Sequence, residues 1–322
     1  MTRAAPTPGA TQPELVLVGA AHVDRIARSS VPFRQGASNP GVLRQGVGGA
    51  CLNAAVALRS FGARVRLISA RGGDPGALAV IDELAHHGID DDAIVWLDRA
   101  TASYTAVLDE TGELVAAVAD MAIYDMLTAR ALSRQHVRER LAAAPAVLMD
   151  ANLSTPALET VCTYAKGFRA AIAVSQAKVA RLRPVLDRLD VVFLSLAEAR
   201  ALTDCNGSIL KIAHALRELG TRRAVVTDGP RAVTVIDGDS AFQQQPASIA
   251  NLQDVTGAGD TVAAVTFLAH VAGQPLQHAI CLGLAAAALR ITDGLDQHSP
   301  WRVEHMALAL PPPTRLSKDT VA

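Results

Sequence analysis

Aromatic side chains are scarce. Phe, Tyr and Trp make up only 3% of the 322 residues, although half of the residues are hydrophobic. The core must therefore be assembled mainly from Ala, Val and Leu. Cysteine is scarce too: Cys51, Cys162, Cys205 and Cys281 lie far apart. No CxxC or Cys/His pair has metal-ligand spacing, and the count is low for a disulfide scaffold, so four reduced, mostly buried thiols are expected. Net charge is nearly absent, with 30 basic against 31 acidic side chains. That balance offers no bulk field for a nucleic-acid polymer or a membrane, although a nucleic-acid component can still bind as a small substrate in a pocket. No apolar run approaches membrane-spanning length. The opening residues, MTRAAPTPGATQPE, lack the apolar region of a secretory signal. A soluble, cytoplasmic protein is the expectation.

The length suits one large α/β domain. ELVLVGA (14–20) reads as a buried strand, and 21–46 is irregular, rich in Pro, Gly, Ser and Asn. A helix is predicted from near Gly49, with Gly62 as its C-terminal stop and a strand at 65–70. A second helix is predicted at 76–87, closed by Gly88. Residues 93–119 are strand-like around a hairpin turn at Asp109–Gly112. With part of 21–46 they predict a small β layer. Strands at 146–153, 170–175, 190–196, 223–229 and 232–237 then alternate with helices at 156–166, 178–188 and 206–219, ahead of a helical region after 255. Such alternation predicts a mostly parallel sheet with helices on both faces. Residues 1–13 and the Pro-rich 311–322 are expected to be flexible tails.

The stretch NLQDVTGAGDTVAAVTFLAHVAG (251–273) carries chemistry. A helix N-terminus presents unpaired N–H groups and partial positive charge. Gly257, Ala258 and Gly259 expose them without bulky side chains, which makes a cradle for phosphate or a developing oxyanion. Asp260 in the first turn would repel a phosphate as a ligand. It suits a general base that takes a proton from a hydroxyl attacking a phosphoryl group. The structural alternative is a glycine loop followed by a helix-stabilising Asp.

A second glycine pair, in GGACLNAAVALRSFGARVRLISARGGDPGA (48–77), precedes DVTGAGD by about two hundred residues. This pairing resembles the two signatures of the pfkB (ribokinase-like) carbohydrate kinases, and the resemblance extends over roughly 14–300. The pieces VGAAHVDRIA, SNPGVLRQGVGGACLNAAVALRSFGA, ASYTAVLDETGELVAAVADMAI and LMDANLS are similar to the pseudouridine kinase branch of that family. The resemblance implies a ribokinase-like α/β fold spanning 14–310, with a β lid from about 21–46 and 93–120. It implies phosphoryl transfer from ATP with Mg2+, and with K+ as a further ion, to a nucleoside or sugar hydroxyl. A homodimer through the lid is implied as well.

The same resemblance implies roles by residue. Asp24 would bind sugar hydroxyls, Gly48 and Gly49 would let the backbone approach the sugar, and Asn53 would add an amide. Their alternatives are a turn Asp and an ordinary helix start. Ser38 and Asn39 are candidate base or lid contacts, or simply a turn. Tyr104 would stack on the base or merely pack, and Asp120 would accept a base N–H. Asp150 and Asn152 end a core strand, where open α/β sheets bind ligands, with a helix cap as the alternative for Asn152. Thr227, Asp228, Gly229 and Thr256 would meet the nucleotide. Asp254 and Val255 resemble positions near a potassium site, and magnesium would be held mainly by phosphates and water. The family's Asn-x-x-Glu appears as Ser195 and Glu198, which predicts a weakened magnesium and phosphate network. Ser175-Gln176 replaces an Asp-Pro dipeptide, and Ala232 replaces a second glycine. A different sugar or nucleoside substrate, and a catalytically weak nucleoside sensor, are the alternatives these departures raise.

Overall fold

The computed structural model describes residues 14–249, 255–293 and 300–316. The expectations for 1–13, for 317–322 and for Asp254 lie outside the described residues. A ten-stranded sheet forms the centre. From one edge its strands are 90–91, Arg64–Ile68, Glu14–Val18, Ala146–Asp150, Phe168–Ile172, Val191–Ser195 and Arg223–Thr227, all parallel. Val233–Asp237, Ser240–Gln244 and Thr314–Arg315 complete it in antiparallel pairings.

Alternating side chains feed two cores, as the pleat requires. Leu15 and Leu17 join a cluster beneath the helices Ala50–Ser60, Ala258–Val271 and Leu276–Asp293. Val16 and Val18 join the opposite cluster, beneath Thr155–Tyr164, Leu196–Thr203 and Ile209–Glu218. No helix among the described residues is long and apolar enough to cross a membrane.

A separate four-stranded sheet has the order Gly41–Gly48, His22–Ser29, Ser103–Leu108, Leu114–Asp120. The two outer pairings are antiparallel and the central one is parallel. The hairpin at Asp109 forms as expected: its Oδ1 accepts the N–H groups of Thr111 and Glu113, each at 2.9 Å.

Several details differ from the sequence reading. The segment 21–46, read as irregular with a part in the small β layer, supplies the strand His22–Ser29 and most of Gly41–Gly48, eight residues each. Their apolar alternation is interrupted by Arg, Gln and Gly, and residues 41–46 are exposed. The segment 178–188, read as helical, is a 3-10 helix over Val179–Arg188 with Pro184 inside it. The strand at 190–196 stops at Ser195, and a helix starts at once. Thr314–Arg315, inside the stretch read as a loose tail, pairs with the strand Ser240–Gln244.

Candidate active site

The C-terminal ends of the parallel strands carry Asp150, Asn152, Ser195 and Thr227 to Gly229, while most other predicted site residues come from helices and from the small sheet. Asp260 lies in the first turn of the helix Ala258–Val271, which Gly257 caps with a left-handed φ of 71°. The amide of Asn53, on the helix Ala50–Ser60, donates to Oδ2 of Asp260 at 2.9 Å. This bond joins residues 207 positions apart. Asp260 retains some exposed surface, yet its carboxyl is enclosed by protein. Desolvation raises its pKa to about 6. The Asn53 bond and the Arg290 charge oppose that rise, while Asp150 and Glu198 add to it.

The glycines around Asp260 differ in kind. A Cβ on Gly257 would lie 2.7 Å from an Arg290 nitrogen and 3.3 Å from the Asn53 amide nitrogen, so the left-handed turn is also a tight one. A Cβ on Gly259 would meet nothing within 4 Å, and its φ is not positive. Neither protein packing nor backbone geometry asks for glycine there. A helical glycine costs about 1 kcal/mol relative to alanine.

Asp24 lies on the strand His22–Ser29, where Nε2 of His22 approaches its Oδ1 at 3.3 Å. The other ring nitrogen, Nδ1, contacts the hydroxyl of buried Tyr124 at 3.3 Å. Burial, with Asp150 nearby, pushes the Tyr124 pKa well up, so its hydroxyl stays protonated. A neutral His22 whose Nδ1 accepted from that hydroxyl would carry its proton on Nε2, toward Asp24. A Cβ on Gly48 would sit 2.2 Å from Oδ2 of Asp24, so only glycine leaves that oxygen room. Gly49 (φ 121°) then opens the helix that carries Asn53. Tyr104 is the cross-strand partner of Asp24 and shares its face.

Other predicted residues are placed differently. Asp150 is fully buried. Its Oδ2 accepts the N–H groups of Ala20 at 2.8 Å and Cys51 at 3.3 Å, and its Oδ1 accepts that of Asn152 at 2.9 Å. It ties two loops to a strand end and acts on Asp260 through its charge. Asn152 is also buried, and its Oδ1 accepts from Nζ of Lys178 at 2.6 Å. Burial first, and Arg181 second, lower the Lys178 pKa. Nearby, Val174 holds φ 72°, a conformation that strains a β-branched residue, where the N–H of Ser175 turns back to the carbonyl of Ala173. Asn39 spends its amide within its own loop, on the N–H and carbonyl of Arg34 and the carbonyl of Ala37. Ser38 and Asn39 lie beyond the Ser29–Gly41 pair, about 17 Å of strand from Asp24. Asp120 pairs with Ser103 and is exposed, on the face opposite to that of Tyr104.

On the nucleotide half, Ser195 and Glu198 form a capping box. Glu198 Oε2 accepts the Ser195 N–H at 2.7 Å, and Ser195 Oγ accepts the Glu198 N–H at 3.2 Å. Thr227, the cross-strand partner of Ser195, donates its hydroxyl to the carbonyl of Leu194 at 3.3 Å. Asp228 forms a two-pronged pair with Arg231 at 2.6 and 2.7 Å, which lowers its pKa. Gly229 takes a left-handed φ of 58° beside it. The Thr256 carbonyl accepts from Nε of Arg290 at 3.0 Å, and the Val255 carbonyl accepts the Ala258 N–H at 3.1 Å. Among the described residues no three His, Cys, Asp or Glu side chains converge as a metal cage.

Sequence reasoning did not find His22, Tyr124 or Arg290. His22 had a usable signal, since it lies two positions before Asp24 on one strand, which puts both on one face. Arg290 reaches Thr256 from 34 residues away and had no local signal.

Residues 12–302 match the profile of the pfkB family of carbohydrate kinases. A pseudouridine kinase of Escherichia coli is 27% identical over 286 residues, covering 86% of this chain and 90% of its own. A carbohydrate kinase from Agrobacterium tumefaciens, of known structure, is 36% identical with a TM-score of 0.84, covering 95% of this chain and all of its own. The Arabidopsis thaliana ribokinase complexed with ribose and ATP shares the fold, with a TM-score of 0.81 at 19% identity over 92% of this chain and 99% of its own.

Proposed function

The chain belongs to the pfkB family of carbohydrate kinases, phosphotransferases with an alcohol group as acceptor, and on that premise we propose that it phosphorylates the ribose 5′-hydroxyl of a nucleoside, with pseudouridine preferred. ATP is the donor in this reading. The carrying observation is Asp260: an enclosed carboxyl with a pKa near 6, held by Asn53 in the first turn of a helix opened by glycines. Gly259 supports it, because open space at a helical glycine suits a ligand that comes close to the backbone.

The chemistry follows from the two carboxylate oxygens. Oδ2 takes the Asn53 N–H, so Oδ1 is the oxygen available to the acceptor hydroxyl. As that hydroxyl oxygen bonds to the γ-phosphorus, its proton passes to Asp260 and the bond from the γ-phosphorus to the bridging oxygen breaks, releasing ADP. The N–H groups of Gly257 and Gly259 stabilise charge on the transferring phosphoryl group, that of Ala258 being taken by the Val255 carbonyl. Magnesium on the phosphates would neutralise further charge. Asp24, with His22 against one oxygen, offers the other to ribose hydroxyls. Tyr104 beside it offers a ring for the base. The likeness to the Escherichia coli pseudouridine kinase along most of both chains favours that base over others.

A coupled phosphoryl-transfer assay with magnesium, potassium and ATP, across pseudouridine, uridine, cytidine, adenosine and ribose, tests this reading. The expected result is selective turnover of pseudouridine. Preference for another acceptor would discard the base-specific part and keep the kinase. Nucleoside binding without turnover of any acceptor would overturn the catalytic reading.

A further inference from the structure

We propose that Arg290 is a positioning residue of the phosphoryl-transfer site, fixing the Thr256–Gly257 turn and setting a permanent positive charge beside the helix N-terminus that receives the phosphoryl group. The proposal rests on the kinase reading above. Arg290 stands in the last turn of the helix Leu276–Asp293. A cation there complements that helix's own dipole, which would be sufficient reason for an Arg at a surface. The geometry here is more specific. Its Nε donates to the Thr256 carbonyl at 3.0 Å. Its terminal nitrogen lies 2.7 Å, and its central guanidinium carbon 3.0 Å, from where a Gly257 Cβ would stand. The same spot is 3.3 Å from the amide nitrogen of Asn53, which holds Asp260. One planar guanidinium therefore abuts the turn that starts the anion-binding helix and the bond that orients the base.

Two consequences follow. Pinning the Thr256 carbonyl fixes the turn from which the Gly257 and Gly259 amides project, and preorganised donors are what stabilise developing charge. The delocalised, always-ionised guanidinium also adds a positive potential where charge moves from acceptor to phosphate. It favours the ionised form of Asp260 as well, in line with the direction of its influence on that carboxyl.

The test compares wild type with Arg290→Ala and Arg290→Lys in nucleoside turnover, with ATP and ADP affinity measured by calorimetry. Arg290→Ala is expected to lower kcat about 10- to 100-fold while the nucleoside KM moves less than about threefold. Millimolar guanidinium should restore part of the lost kcat, and Arg290→Lys should retain more activity than Arg290→Ala. The ATP-over-ADP preference should narrow in Arg290→Ala. Wild-type kcat in Arg290→Ala overturns the proposal. So does a loss that guanidinium does not restore in a variant whose thermal unfolding matches wild type. If Arg290→Ala does not fold, an Arg290→Lys variant that folds but is as inactive as an Asp260 variant overturns it. If wild type turns over no acceptor, the kinase reading fails separately, and the ATP-over-ADP preference still decides: an unchanged preference, or no nucleotide binding at all, sinks the role of Arg290.

Discussion

Asp260 is a carboxylate placed where its charged form is disfavoured. Its pKa rises from 3.8 to about 6, mainly through desolvation. A base must be ionised to act, so kcat should climb as pH rises through about 6 and level off above it. Stability has the opposite slope. The folded pKa lies above the unfolded one, so the contribution is fully present below about 4 and is lost as pH rises through about 6. Asparagine imitates the protonated form and can still accept the Asn53 N–H. Asp260→Asn should therefore keep nucleoside binding, lose nearly all turnover, and be more stable than wild type by about 1–3 kcal/mol at pH 8. That advantage should vanish near pH 4, which denaturant titrations at the two pH values would check. An equal difference at both would remove burial as the cause. Gly259 gives a companion case. Gly259→Ala fills open space in a helix, so it should raise stability by about 0.5–1 kcal/mol while cutting turnover sharply. A variant that is both more stable and fully active would refute the reading that a ligand approaches this position.

At the scale of elements, the join between the strand Val191–Ser195 and the helix Leu196–Thr203 decides how the departure from the family's Asn-x-x-Glu should be read. Serine is a good N-cap, and here it forms the reciprocal pair with Glu198. Asparagine caps about as well, so Ser195→Asn should leave stability within about 0.5 kcal/mol, whereas Ser195→Ala should lose about 1 kcal/mol. Urea midpoints would measure both, and a neutral Ser195→Ala would show that the capping box contributes nothing. This join also shows what was legible in the sequence. Runs such as VVFLS and AVLMD announce parallel strands because both faces are buried and no polar alternation is needed. The glycine cluster before Asp260 announces a helix start because a long apolar run follows it at once and a carboxylate sits in the first turn. Part of 21–46 was legible as belonging to the small sheet, but the bounds of the strands His22–Ser29 and Gly41–Gly48 were not, since outward Arg and Gln side chains on a thin sheet erase the hydrophobic period. The bonds from Asn53 to Asp260 and from Arg290 to Thr256 depend on helices brought together by the folded core, which no local pattern encodes. Asp150 was read as a pocket residue because strand ends bind ligands. Its carboxylate is instead engaged with three backbone N–H groups, two of which, those of Ala20 and Cys51, are distant in sequence.

At the scale of the whole molecule, the small sheet stands apart in exposing its aliphatic side chains. Val42, Leu43, Leu114, Val115 and Val118 are 43–70% exposed on its two outer strands. Those strands are also the sheet's two edges, so backbone donors and acceptors lie unpaired beside the apolar side chains. Monomeric proteins rarely expose such a patch on an open edge without a use for it. The sequence resemblance implied a homodimer through this sheet, and we propose that these exposed aliphatics are what the second copy covers. Two copies that cover these faces would bury the aliphatics and stiffen a sheet which, in this chain alone, is covered on few sides. Because Asp24 and Tyr104 belong to the same sheet, its rigidity would bear on how the acceptor is held. The expected outcome is a dimer in sedimentation experiments at micromolar concentration. Val118→Lys and Leu43→Lys should each shift it toward monomer and raise the KM for the acceptor more than they lower kcat. A wild-type protein that sediments as a monomer at tens of micromolar would refute the dimer. A monomeric variant with unchanged KM would leave the dimer in place and separate it from substrate binding.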